Sequence, residues 1–394
     1  MKKILLQGST GSIGISSLSV IAEQREHFRI VGLSAGHKED ELLEQAHRVH
    51  PTSLAILRPR DGSIFRMRAS EIGIQRVYVG ESAFQQQAEE ENYDVLLNAV
   101  MGSSGIRPTI SALSRGINVA LANKETLVAA GEIVMKCARD HDAAVLPIDS
   151  EHSALQQCMV GERREDVRRL WLTTSGGPFW GRSRDELARV TPHDALAHPT
   201  WAMGPKITID SATLFNKGLE VIEACRLFDW PVSKVDVVRQ RESVIHSMIE
   251  FVDGSFKAQL SIPDMRLPIL YALTFPERLQ SELVESRPGS FGALHFDEVD
   301  PLNHPCLHMA FQAIADGGTA PTILSAADEI AVQAFLDEKI GFLNIADVIA
   351  ETLANVPRQA ATDLEEVMQA DTDARRTARN SIAAIVGTHT KVSC

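Results

Sequence analysis

Short apolar runs punctuate the first part of the chain at regular intervals. They lie at Lys3 to Gln7, Arg29 to Leu33, Leu54 to Leu57, Arg76 to Val79, Asp94 to Val100, Asn118 to Ala122 and Ala144 to Ile148. Stretches with helical spacing, such as Glu41 to Val49 and Glu132 to His141, fall between several of them. Strand and helix patterns in alternation predict a parallel, doubly wound sheet of Rossmann-like type. From about Ser150 the pattern changes to an α+β region, with strands at Leu170 to Thr174, Val235 to Arg239 and Lys257 to Ser261. Between Pro276 and Pro305 the chain is rich in Pro, Gly and Ser and reads as a linker. Beyond it Cys306 to Ala315, Thr322 to Glu338, Ile345 to Asn355 and Ala374 to Val386 carry helical periodicity, predicting a small helical bundle. The expected class is therefore α/β, with a nucleotide-binding domain over 1–149 and a catalytic domain over 150–285. A linker over 286–305 and a helical domain over 306–394 complete the expected order.

Composition narrows the function. Hydrophobic content of 44% and charged content of 23% are ordinary for a globular protein, and 394 residues allow two or three cores. With 39 basic against 52 acidic residues the net charge is −13, which argues against nucleic acid or an anionic membrane as partner. Five scattered cysteines without C-x-x-C spacing read as free thiols of a reducing cytosol. Only three apolar residues follow Met1-Lys-Lys, too few for a signal peptide, so a cytoplasmic location is expected.

The first strand runs into Gly8-Ser-Thr-Gly11-Ser-Ile-Gly14 and then a helix, the frame in which a glycine turn binds a dinucleotide pyrophosphate. The spacing is G-x-x-G-x-x-G, and a tight structural turn is the other reading. The second strand ends at Gly36-His37-Lys38, where NAD enzymes usually carry an acid for the ribose hydroxyls. Basic residues there favour the 2′-phosphate of NADP, although Glu39 and Asp40 follow at once.

Two distant stretches suggest a metal and phosphate site. Asp149-Ser150-Glu151 follows the last sheet strand, and residues i and i+2 of an extended segment point to one side. In Ser211-Ala-Thr-Leu-Phe-Asn216-Lys217-Gly-Leu-Glu220, Asn216 and Lys217 each share a helix face with Glu220. Three carboxylates make a hard oxygen set for Mg²⁺ or Mn²⁺, and hydroxyl, amide and ammonium donors suit phosphate. Taken singly, either stretch is also compatible with a solvated loop or an ordinary capped helix. Thr174-Ser175-Gly-Gly-Pro178 reads as an anion-binding loop or as a plain turn. His198-Pro-Thr-Trp201-Ala-Met203-Gly204-Pro205 reads as a mobile lid or as a packing loop.

Taken together, these motifs resemble the 1-deoxy-D-xylulose-5-phosphate reductoisomerase family. The resemblance spans nearly the whole chain and rests also on Ala122-Asn-Lys-Glu125, Pro147-Ile-Asp-Ser-Glu-His152 and Ser175-Gly-Gly-Pro-Phe179. It implies NADPH and a divalent metal (Mg²⁺, Mn²⁺ or Co²⁺), a small sugar phosphate as substrate, and a homodimer. It implies Asp149, Glu151 and Glu220 as metal ligands. Lys124, Ser150, Glu151, Ser175, His198, Ser211, Asn216, Lys217 and Glu220 would meet substrate, with Trp201 and Met203 on the flap. Thr10, Gly11, Ser12, Ile13, Gly36, Asn123, Glu125 and Gly204 would meet the cofactor, joined by His37 and Lys38 from the strand-tip reading. The chain departs from the family at Lys38, Ala202 and Pro205. The rivals are a simple NADP-dependent dehydrogenase, and a nicotinamide-sensing regulator, which would carry a basic or docking element that is not visible here.

Overall fold

In the computed structural model, which describes residues 1–196 and 204–392 (side chains to 387), the chain groups by contacts into two units. The first holds 1–126, 134–156 and 264–286, and the second holds 127–133, 157–263 and 287–394. His198, Trp201, Ala202 and Met203 lie outside the described residues.

Seven parallel strands build the first unit: β1 (Lys2–Gln7), β2 (Phe28–Ala35), β3 (Ser53–Ile56), β4 (Arg76–Val79), β5 (Val95–Asn98), β6 (Asn118–Leu121) and β7 (Val145–Pro147). Their order is β4-β3-β2-β1-β5-β6-β7, so the chain reverses direction of build between β1 and β5. That reversal is the topological switch point at which open α/β sheets bind ligands. The crossovers are α1 (Ser12–Glu23), α2 (Glu39–Val49), α3 (Gly62–Glu71), α4 (Ala83–Glu90), α5 (Ile106–Leu113) and α6 (Lys124–Asp140); α7 (Ser150–Met159) follows β7. The strands read as unbroken apolar runs because both faces are covered. Ile4, Leu6, Leu33, Leu54, Ile56 and Leu97 are buried in one core with Val20 and Ile21 of α1. Each such side chain contributes about 1.5–3 kcal/mol of burial.

The second unit carries a mixed sheet in the order β11-β10-β8-β9-β12. Its strands are β8 (Val167–Thr174), β9 (Val235–Gln240), β10 (Ile245–Phe251), β11 (Phe256–Leu260) and β12 (Phe296–Glu298). Among the described residues, β8 and β9 are its only parallel pair. Two short helices, α8 (Arg184–Leu187) and α9 (Pro192–Ala195), are each closed by a capping box, with Ser183 and Thr191 as caps. Next come α10 (Pro205–Ala212) and α11 (Phe215–Leu227), parted by Leu214 in the left-handed region at φ 58°. Chain order then gives α12 (Arg266–Thr274), which packs Ile269, Ala272 and Leu273 into the core of the first unit. The remaining helices are α13 (Pro305–Asp316), α14 (Ala320–Leu336), α15 (Asn344–Asn355) and α16 (Leu364–Val392). Phe215, Leu219 and Ile222 of α11 share one core with Ala310, Leu324, Phe335 and Ile349 of these helices. Among the described residues no helix is long and apolar enough to cross a membrane, and the four described cysteines are free thiols.

Candidate active site

In the first unit the chemistry collects at the carboxyl ends of the parallel strands. Gly8 closes β1 at φ +85°, and a Cβ there would stand 2.3 Å from the Ala99 carbonyl oxygen. Gly14, in the first turn of α1, would meet the Gly8 carbonyl equally closely. These two glycines let the turn fold flat against the switch point, so that Gly11 and Ser12 stay exposed and Ile13 half-buried at the start of α1. Thr10 is buried. An exposed turn ahead of a helix N-terminus is a ready anion seat.

At the tip of β2, Gly36 is open on its Cβ side and His37 and Lys38 are exposed. Lys38 pairs with Glu41 at 3.5 Å. The two acids beside them do not face the tip uncompensated. Arg60 binds Glu39 and Asp40 (3.0 and 2.8 Å), and Arg68 binds Asp40 at 2.8 Å. Arg60 comes from the loop after β3, so its place beside the β2 tip is set by the parallel register and not by nearness in sequence. It went unnoticed in the sequence; the only signal there is an Arg after the third strand.

Asn123 is buried and caps α6 by accepting from the Thr126 amide. Its own amide donates to the carbonyls of Val100 and Gly102 and to Glu125 (2.8, 3.0 and 3.0 Å). Asn123 thus shapes the β5 and β6 tips. Lys124 opens α6 and its ammonium bonds the Asp149 carboxylate. The pair Asp149/Glu151 is not carried by an extended segment, as the i, i+2 reading had it. Asp149 precedes α7 and Glu151 stands in its first turn, its amide donating to Asp149 Oδ1 at 3.3 Å. Both acids therefore benefit from the positive end of the helix. Ser150 donates to Glu151 Oε2 at 2.5 Å, and the buried His152 lies 3.3 Å from Asp149 Oδ1. Burial on its own would raise the Asp149 carboxyl. The charge of Lys124, with the hydrogen bond and charge of His152, holds it well below the ordinary carboxylate range instead.

In the second unit, β8 ends at Thr174 and runs into Ser175-Gly176-Gly177, with both glycines left-handed at φ +90° and +67°. Arg239 of β9 donates to the Ser175 carbonyl at 2.9 Å and covers the Trp180 ring at 4.6 Å. Asp297 of β12 grips Arg239 at 3.0 Å, and His304 stacks on Trp180. The loop is therefore built rather than slack. Arg239, Trp180 and Asp297 were not singled out in the sequence, because their partnership arises only from sheet pairing.

Ser211 sits in the last turn of α10, and the left-handed Leu214 redirects the chain into α11. There the helical spacing holds as expected. The Asn216 amide and the Lys217 ammonium both bond the Glu220 carboxylate, and Lys217 and Glu220 are buried. Asn216 Oδ1 is buried without a hydrogen-bond partner among the described residues. A buried unpaired acceptor costs roughly 1–3 kcal/mol and marks a position built to take a donor. Gly204 caps α10.

The family model "1-deoxy-D-xylulose 5-phosphate reductoisomerase" matches residues 4–131, and two models of the same enzyme's C-terminal domain match 145–228 and 260–377. A 1-deoxy-D-xylulose 5-phosphate reductoisomerase of Chlorobium phaeobacteroides is 45% identical over 97% of this chain and 99% of its own length. One from Listeria welshimeri is 46% identical over 95% and 98%. The Zymomonas mobilis enzyme, solved with NADPH, superposes with TM-score 0.90 at 38% identity, covering 97% of this chain and 99% of that one. A reductoisomerase solved with NADPH, fosmidomycin and magnesium gives TM-score 0.92 at 37% identity over 98% and 99%. The chain belongs to the 1-deoxy-D-xylulose 5-phosphate reductoisomerase family.

Proposed function

We propose that this chain converts 1-deoxy-D-xylulose 5-phosphate to 2-C-methyl-D-erythritol 4-phosphate. The reaction is a rearrangement followed by an NADPH-dependent reduction, requires a divalent metal, and supplies isoprenoid precursors. Asp149, Glu151 and Glu220 are the metal ligands. When bound, the metal supplies Lewis acidity at the substrate oxygens and NADPH supplies the hydride.

The observation that carries the assignment is that the acids at 149 and 220 each have an ammonium partner of their own. Asp149 is bonded by Lys124 within the first unit, and Glu220 by Lys217 and Asn216 within the second. Carboxylates paired with ammonium groups are a hard oxygen donor set fit for Mg²⁺ or Mn²⁺. In this reading the same ammonium groups meet the anionic substrate.

Lys124 polarises a substrate oxygen or carries its proton. Ser175, Ser211, Asn216 and Lys217 hold the phosphate, with Ser150 and His198 as further substrate contacts. Trp201 and Met203, which like His198 lie outside the described residues, are taken as further substrate contacts. The turn Thr10 to Ile13 seats the pyrophosphate, Gly36, His37 and Lys38 border the adenosine ribose, and Asn123, Glu125 and Gly204 border the rest of the cofactor. Arg60 supplies the planar cation for the 2′-phosphate. The enzyme works as a cytoplasmic homodimer, for which light scattering would read twice the 43.1 kDa of one chain.

The test is NADPH oxidation with 1-deoxy-D-xylulose 5-phosphate, with and without Mg²⁺, and NMR of the product. A branched polyol phosphate formed only with the metal is expected. An unrearranged carbon skeleton would mean a plain dehydrogenase.

A further inference from the structure

Helix α10 carries a buried charge cluster that the reaction above does not use. Lys206 Nζ lies 2.6 Å from Asp210 Oδ2, one turn along the same helix, and 2.7 Å from Asp328 Oδ2 on α14. Both carboxyls are buried, and the ammonium stands 5.6 Å from the centre of the Phe215 ring on α11. The other two oxygens, Asp210 Oδ1 and Asp328 Oδ1, are buried with no hydrogen-bond partner among the described residues. Because both Oδ2 atoms meet the one Lys206 ammonium, the two carboxyls lie side by side.

Two ionised carboxylates around one ammonium would leave a net negative charge in the interior and two costly unpaired acceptors. A single proton between the carboxyls removes both problems. The surroundings favour its retention. Glu329, also on α14, adds negative potential at both carboxyls, and Arg375 of α16 sits on Glu329 at 2.8 Å. Cys306 of α13 faces both carboxyls and Asp347 of α15 faces that thiol, which burial and these charges push upward, so it stays neutral. Burial, ahead of the opposing pull of Lys206, pushes Asp210 and Asp328 upward as well, Asp328 well above the ordinary range.

We propose that Asp210 and Asp328 share one proton and, with Lys206, form a positioning element that fixes α10 on α14. Helix α10 begins directly after the segment containing His198, Trp201 and Met203, and its last turn carries Ser211. Anchoring α10 thereby sets Ser211, which rests on the reading of Ser211 as a phosphate contact. The sign of the pH dependence follows. The unfolded chain loses this proton near pH 4, whereas the folded cluster keeps it. The cluster's stabilisation is therefore complete below that pH and drains away as pH rises towards the folded cluster's own titration.

The test compares the full-length wild type with Asp328→Asn, whose amide donates to Asp210 and whose carbonyl accepts from Lys206 at every pH. Melting temperatures from pH 6 to 9 are expected to show Asp328→Asn gaining steadily on the wild type. Its kcat and KM at pH 7 should stay within about twofold, because the hydrogen bonds are kept. Asp328→Leu, which offers neither donor nor acceptor, should raise KM for the sugar phosphate about tenfold while leaving KM for NADPH unchanged. A melting difference between wild type and Asp328→Asn that stays constant across this range overturns the shared proton. Wild-type KM in Asp328→Leu overturns the positioning role, and if that variant does not fold the Asp328→Asn comparison still decides. Wild-type KM in Ser211→Ala would remove only the phosphate reading, with the pH-dependent melting difference untouched.

Discussion

Lys217 and Glu220 form a buried ion pair across one turn of α11, with the ammonium on Glu220 Oε2 while Asn216 bonds Oε1. Every lone pair of this carboxylate that is directed elsewhere is therefore aimed by two fixed neighbours. Glu220→Gln keeps the shape and removes the charge. It should bind metal poorly and lose about 100-fold or more in turnover, with NADPH affinity unchanged. Glu220→Ala should also lose stability, by about 3–5 kcal/mol, because Lys217 is left buried without its carboxylate. Metal titration, steady-state kinetics and denaturant melts read these effects. Wild-type turnover in Glu220→Gln would remove Glu220 from the ligand set.

Arg60 draws both acids at the β2 tip onto itself. Arg60→Ala should therefore harm NADPH twice, by loss of a guanidinium and by leaving the Glu39 charge without its ion-pair partner, while Arg68 still holds Asp40. KM for NADPH is expected to rise about tenfold, with little change for NADH. Equal losses with both cofactors would show that Arg60 only props the loop.

Gly177 and Gly181 are both left-handed, at φ +67° and +80°, but they differ in their surroundings. A Cβ at Gly177 would stand 2.5 Å from the Ser211 carbonyl oxygen, whereas at Gly181 nothing lies within 4 Å. Gly181→Ala should cost only the backbone penalty, about 1–2 kcal/mol. Gly177→Ala should cost more and raise KM for the sugar phosphate, since it pushes the Ser175 loop away from α10. Parallel melts and kinetics of the two variants separate strain from displacement.

Hydrogen bonds from Arg241, and then from Arg239 against the opposing effect of burial, hold the Asp297 carboxyl down to about 2. A carboxyl lowered in the fold stabilises above its unfolded value, near 4, and that contribution is lost as pH falls towards 2. The melting temperature of wild type should therefore exceed that of Asp297→Asn by a constant margin from pH 7 to about 4.5, and the margin should shrink below that. A margin that widens on acidification would contradict the pairing.

The parallel sheet was legible because its strands are buried on both faces and read as unbroken apolar runs, Leu54 to Ile56 being typical. So was the Asn216, Lys217 and Glu220 face, since helical spacing alone fixes it. Strand β10 (Ile245–Phe251) escaped notice, its apolar positions being interrupted by His246, Ser247 and Glu250. Arg60, Arg239 and Asp297 escaped for another reason. Each acts on a residue far away in sequence, and only strand register brings them together. The Asp149/Glu151 pair was found by the wrong geometry, because the strand stops at Pro147 and a helix begins at Ser150.

Binding of Mn²⁺ to the NADPH-loaded enzyme, read by electron paramagnetic resonance for wild type, Asp149→Asn, Glu151→Gln and Glu220→Gln, tests most directly whether these three acids serve one ion. One tight site in the wild type, weakened about 10–100-fold by each substitution alone, is the expected result. Wild-type affinity in any one of the three, with the enzyme folded, would contradict it.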